Sequence, residues 1–135
     1  MNLPTEPPPS AAPPSPFDEP MSPMQILFSF KGRIPRKTYW LWGILGLLLV
    51  SVIASMLLGI AGVDEQSADV LATLLIIWPG LAIAIKRWHD RDRSGWWVLI
   101  NAIPVVGFIW ALIDNGFLRG SVGANRFGED LTGRL

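Results

Sequence analysis

The stretch KRWHDRDRSGWW, Lys86 to Trp97, concentrates the residues of this sequence with the most chemical capacity. His89 beside Asp90, with Ser94 nearby, supplies the residue types of an acyl-transfer site. Their spacing argues against that chemistry. Adjacent positions on a helix do not face each other, no G-x-S-x-G elbow surrounds Ser94, and a lone His with scattered carboxylates lacks the H-E-x-x-H spacing of a zinc hydrolase. The chain has no Cys, which removes a thiolate nucleophile, a disulfide framework and the usual structural zinc sets. The residues therefore assign no catalytic group, no metal and no cofactor. His89 and Asp90 read as structural groups bonded to backbone or to neighbouring cations, with a pH-sensing His89 as the functional alternative.

What this stretch does offer is positive charge flanked by indole. Lys86, Arg87, Arg91 and Arg93 alternate with Asp90 and Asp92, and Trp88 and Trp96 can anchor the segment at a lipid–water boundary. A guanidinium meets a phosphate bidentately and an ammonium acts as a point charge, so such a loop suits anionic headgroups. A second cluster, Lys31, Arg33, Arg36 and Lys37, follows the apolar group Ile26, Leu27, Phe28 and Phe30. That segment reads either as an amphipathic piece lying in the interface or as a plain cytoplasmic flank that sets orientation. Nucleic acid is not an expected partner, because 11 Lys and Arg balance 11 Asp and Glu and leave no net positive charge.

The elements that must position these clusters are long and apolar. Half of the 135 residues are hydrophobic and only 16% are charged, against about a quarter in an ordinary soluble domain. Apolar runs at about 38–63, 67–88 (uncharged from Val70 to Ile85) and 94–113 predict an all-α membrane protein with three transmembrane helices. The first run would make roughly 39 Å of helix, ample for a ~30 Å hydrocarbon layer. The second is shorter, with Pro79 predicting a kink, and needs Lys86 and Arg87 to snorkel. Asn101 and the Ile103 to Gly107 stretch leave an alternative for the third: two crossings plus a re-entrant segment. Ser51, Ser55 and Gly59 form a small-residue face that suits packing within the chain or, alternatively, a homo-oligomer.

Orientation follows from the cations. Both basic clusters flank the runs on one side, while the first loop carries only Asp64, Glu65 and Asp69, so the N-terminus and the 86–93 loop are expected in the cytoplasm. Three crossings would put the tail's Arg119, Arg126 and Arg134 outside, whereas a re-entrant third run would bring them in.

Two tails frame the body, which spans residues 24–131. Nine of the twelve prolines lie in residues 1–23, predicting a disordered, PPII-like tail; a PxxP ligand at Pro13 and Pro16 is the sharper reading, and translation starting at Met21 or Met24 would omit the tail. The Gly-rich segment 114–135 predicts an irregular surface tail whose Asn125, Arg126 and Phe127 dock on the helix ends.

Three blocks taken together, FKGRIPRKTYW (Phe30 to Trp40), KRWHDRDRSGWW and FLRGSVGANRFGED (Phe117 to Asp130), resemble the small bacterial inner-membrane proteins of domain-of-unknown-function family 805, the YhaH type. The basic pair followed by His-Asp and Arg-Ser-Gly-Trp is the most specific block. Trp88 stands where an aliphatic residue is common in that family, and Glu129 and Leu131 flank Asp130 where prolines are common. The resemblance implies a multi-pass protein of the cytoplasmic membrane without an established activity or cofactor. The residue-level expectation is a non-enzymatic protein whose Arg33, Arg36, Lys37, Arg87, His89, Asp90, Arg91, Arg93, Trp96, Asn125 and Arg126 contact lipid headgroups or a partner. The rival is a membrane-embedded enzyme or transporter built on His89, Asp90, Asn101 and Asp114.

Overall fold

A computed structural model describes residues 21–133, and the Pro-rich stretch before Met21 lies outside the described residues. The described residues form helices without strands: α1 (Pro23–Phe28), α2 (Arg36–Ile60), α3 (Glu65–Asp90), a 3₁₀ segment Gly95–Ala102, and α4 (Val106–Phe117). Met21 and Ser22, which composition assigns to the tail, belong to the folded body. Ser22 caps α1 in a reciprocal box with Gln25, and Met21 packs against Ile26, Ile34 and Ile83.

α2 and α3 are an antiparallel hairpin. At its 25 residues α2 reaches roughly 38 Å and at its 26 residues α3 roughly 39 Å, so both are long and apolar enough to cross a bilayer. α2 ends in a Schellman motif: Val63 N–H donates to the Leu58 carbonyl and Gly62 N–H to Gly59, with Gly62 at φ +89° as the left-handed residue this turn requires. Asp64 then caps α3 by accepting from Ser67 N–H at 3.0 Å. The two helices approach closely where Gly43 faces Ile83, since a methyl at Gly43 would lie 2.9 Å from the Ile83 side chain. The small-residue face of α2 is turned toward α3 in part: Ser55 Oγ donates to Asp69 Oδ1 at 3.1 Å.

Outward from this hairpin the surface is aliphatic. Leu45, Leu48, Leu49, Val52, Met56, Leu57, Val70, Leu74, Leu75 and Ile77 are all exposed, a patch far larger than a water-soluble monomer tolerates. Hydrocarbon is the solvent such a surface requires.

The third apolar run is broken. The 3₁₀ segment, capped by Ser94 accepting from Trp96 N–H, ends at Ala102, and the chain reverses through Ile103, Pro104 and Val105 into α4. Val105 takes φ +59°, ψ −65°, and Val106 N–H donates to the Pro104 carbonyl at 2.7 Å, the geometry of a γ-turn that a β-branched residue rarely adopts. The limbs then lie back to back, because Gly107 is buried so tightly that an added methyl would overlap the Ile100 carbonyl. Twelve residues of α4 make roughly 18 Å of helix, short of a crossing. The physical reason is local: Pro104 lacks the N–H a continuous helix needs and disfavours α geometry at Ile103.

Candidate functional site

α3 carries a polar end on an apolar helix. Its last five residues, Lys86 to Asp90, are all buried, which the sequence alone gives no reason to expect for a surface loop. They are covered by α1, by the Lys31 to Arg36 segment and by the C-terminal tail, which converge on this one end of the molecule.

Lys86 is the anchor for α1. Its Nζ donates to the carbonyls of Gln25 at 2.9 Å, Ile26 at 2.6 Å and Ser29. The Gln25 carbonyl also accepts from Ser29 N–H, and Lys86 completes the set of acceptors at the C-terminal end of this helix, where the macrodipole also favours a cation.

Arg33, Arg87 and Asp90 form the centre. Arg33 Nε donates to Asp90 Oδ1 at 2.8 Å, and Arg87 Nη1 donates to Oδ2, so one carboxylate is bracketed by two guanidinia. The remaining donors reach backbone oxygens at the end of α4 and in the tail: Arg33 to Gly123 at 2.6 Å and to Ser121 at 2.5 Å, Arg87 to Asn115 at 2.5 Å and to Leu118. Ser121 N–H returns a bond to the Asp90 carbonyl. Burying two cations costs several kcal/mol each unless their donors are satisfied, and the tail supplies that satisfaction.

Around this centre the other expected residues divide. His89 Nδ1 lies 2.8 Å from the Gly32 carbonyl and its ring stacks on Phe127 at 3.9 Å and 3°. Asn125 Nδ2 donates to the His89 carbonyl at 2.9 Å. Arg91 pairs with Asp114 at 3.0 Å, and Arg93, lying over the Trp97 ring, comes within 3.2 Å of the other Asp114 oxygen without the alignment of a hydrogen bond. Arg126 and Asp92 make an exposed pair at 3.4 Å. Arg36, Lys37 and Trp96 are exposed. The structure thus brings Arg33, Arg87, His89, Asp90, Arg91, Arg93, Asn125 and Arg126 to one end, but uses Arg33 and Arg87 internally, where neither faces a headgroup. Asn101 sits apart, on an apolar groove between α2, α3 and the 3₁₀ segment.

Three participants lie outside the set expected to contact headgroups or a partner, although Asp114 belongs to the rival enzyme or transporter reading. Lys86 reads there as a snorkelling cation, yet it is buried on carbonyls; the tell-tale signal is that no carboxylate lies within three residues before it. Asp114 is the only carboxylate between Asp92 and Glu129, and charge balance alone points to it as a partner for the 86–93 cations. Gly120 allows the tail to press on Asp90, since a methyl there would overlap the Asp90 carboxylate and carbonyl. Among the described residues no group of His and carboxylates could hold a metal ion.

The polar end ends α3 with a second Schellman motif, in which Arg93 N–H donates to Trp88 O and Asp92 N–H to His89 O, with Asp92 at φ +56° in place of the usual glycine. Outside the hydrocarbon helices, Asp130 accepts from Thr132 N–H and Gly123 N–H. The bonds from Thr132 come first among the causes that hold its carboxyl below the usual carboxylate value.

Comparison with known proteins places these features in a family. Two similar proteins of Escherichia coli (strain K12) are named inner membrane proteins: YhaI, 34% identical over 82% of this chain and 92% of its own length, and YhaH, 34% identical over 75% of this chain and 85% of its own. A third, the uncharacterized protein YiiR of the same organism, is 31% identical over 82% of this chain and 90% of its own length. No solved structure matches the chain. The match to the family described as "Protein of unknown function (DUF805)" runs over residues 27–129, from α1 to the Asp130 loop, and the chain belongs to that family.

Proposed function

We propose that this chain is a multi-pass protein of the bacterial inner membrane, with two crossings, α2 and α3, a re-entrant third segment, and a cytoplasmic polar end that works as a non-enzymatic interface to lipid headgroups. The observation that carries the threading is the set of bonds from Arg33 and Arg87 to the carbonyls of Asn115, Leu118, Ser121 and Gly123. A tail held by side chains at the N-terminal end of α2 and the C-terminal end of α3 shares their side of the bilayer. Both ends of the third run support this: Ser94 follows Asp90 closely, and Phe117 packs against Trp40 with ring centroids 5.6 Å apart. With the tail on that side, ten described cations gather at one end, and the opposite turn holds only Asp64, Glu65 and Asp69. By the positive-inside bias the cation-rich end is cytoplasmic.

The buried carboxylates at this end, Asp90 and Asp114, are committed to guanidinia, which supports an interfacial role over proton or acyl chemistry. The absence of native Cys makes the threading easy to test. Gln66→Cys, in the acidic turn, should react with a membrane-impermeant maleimide in spheroplasts, and Val122→Cys, in the tail, should react only after the membrane is opened. Labelling of Val122→Cys from outside would restore three crossings and sink this reading.

A further inference from the structure

Beside the buried Arg33–Asp90–Arg87 centre lies a cleft whose cations are not consumed. It is lined by Pro35, Arg36 and Lys37 at the start of α2, by Arg119 and Gly120 of the tail, and by Thr132. Arg36 spends Nη1 on the Phe117 carbonyl at 2.7 Å. Among the described residues, the side chains of Lys37 and Arg119 have no hydrogen-bond or carboxylate partner, and both are exposed. The carboxylate in the wall, Asp90, is already bracketed by two guanidinia, so it cancels none of this charge. Pro35 caps α2 without a side-chain hydrogen bond, leaving the first N–H groups of a 25-residue helix uncapped along the same wall. Among the described residues, three cations from two separate chain segments and the positive end of a long helix therefore face one concavity whose one carboxylate, Asp90, is already paired.

We propose that this cleft binds the phosphate of an anionic phospholipid headgroup. The source is fixed by location: Tyr39, Trp40 and Trp42 follow Lys37 within one and a half turns of α2, and the exposed aliphatic face of the helix continues from there, so acyl chains can run along α2 while the phosphate sits in the cleft. The buried trio and the cleft then divide the labour. Arg33 and Arg87 hold the tail, which positions Arg119, while Arg36, Lys37 and Arg119 meet the ligand. This inference rests on the cytoplasmic threading proposed above, and the maleimide experiment reports that threading without reference to lipid, so failure of either is distinguishable.

The test uses the full chain in nanodiscs. Lipid retained after transfer from mixed bilayers to detergent is counted by native mass spectrometry, with phosphatidylglycerol competing against phosphatidylcholine. Wild type should retain phosphatidylglycerol at least tenfold over its share in the bilayer, and Lys37→Gln with Arg119→Gln should lose that preference. Lys31→Glu changes the charge by the same two units outside the cleft and should stay within twofold of wild type. An equal loss in the double variant and in Lys31→Glu would show a general field instead of a site and overturn the proposal. So would a lack of headgroup preference in wild type. A free-phosphate site would be shown by millimolar inorganic phosphate raising the unfolding midpoint in phosphatidylcholine discs as much as phosphatidylglycerol does, and that result would overturn the lipid assignment. Circular dichroism of the double variant and of Lys31→Glu verifies that helical content is retained.

Discussion

Arg33 and Asp90, 57 positions apart in the chain, meet at 2.8 Å with both side chains buried, joining the segment before α2 to the last turn of α3. Because Asp90 also serves Arg87, it is the single anion that permits two cations to leave water. Removing it should therefore be worse than removing either guanidinium.

Asp90→Asn leaves two buried charges unpaired, and a loss of about 3–5 kcal/mol is expected in reversible unfolding from detergent micelles. Arg33→Gln leaves Asp90 paired with Arg87 and should cost less. Equal losses would mean the two pairs are not coupled through the shared carboxylate.

Gly120→Ala drives a methyl into the Asp90 carboxylate and carbonyl, so it should lower stability by about 1–3 kcal/mol and loosen the tail. Limited proteolysis would report the loosening as faster cleavage after Arg119 or Arg126. Gly59→Ala is the contrast. Nothing lies within 4 Å of a methyl at that helical position, and replacement should leave stability unchanged or raise it by up to about 1 kcal/mol.

The turn between α2 and α3 should respond to acid through Asp64. The Ser67 hydroxyl and then the Ser67 N–H are the main causes that hold its carboxyl below the ordinary value. A folded-state pKa lower than the unfolded one contributes stability that is fully present above the unfolded value, near 3.9, and is lost as pH falls through the folded one. Protection of the Ser67 amide, its exchange rate relative to the free-peptide rate at the same pH, should thus hold at pH 5 and decline below about pH 4. Asp64→Asn keeps an accepting oxygen and should flatten that dependence.

The two long apolar helices are legible in the sequence because their signal is local. Lack of charge over 38–63 and 70–85 and the acidic turn between them need no tertiary information. The third run has the same local signal, but its fate turns on Pro104 and on the back-to-back contact of Gly107 with Ile100, which composition does not weigh. The site was legible by residue type but not by role. Arg33 and Arg87 look like surface cations because the acceptors that bury them are backbone carbonyls at residues 115–128, and a carbonyl has no sequence signature. Lys86 was missed as a site residue for the same reason.

That dependence on carbonyls from residues 115–128 sets an order of events in biosynthesis. α2 and α3 emerge from the ribosome before the acceptors for Arg33 and Arg87 do. Until those residues emerge, neither guanidinium has the carbonyls that satisfy it in the folded chain. Docking of the tail is then the step that closes the protein.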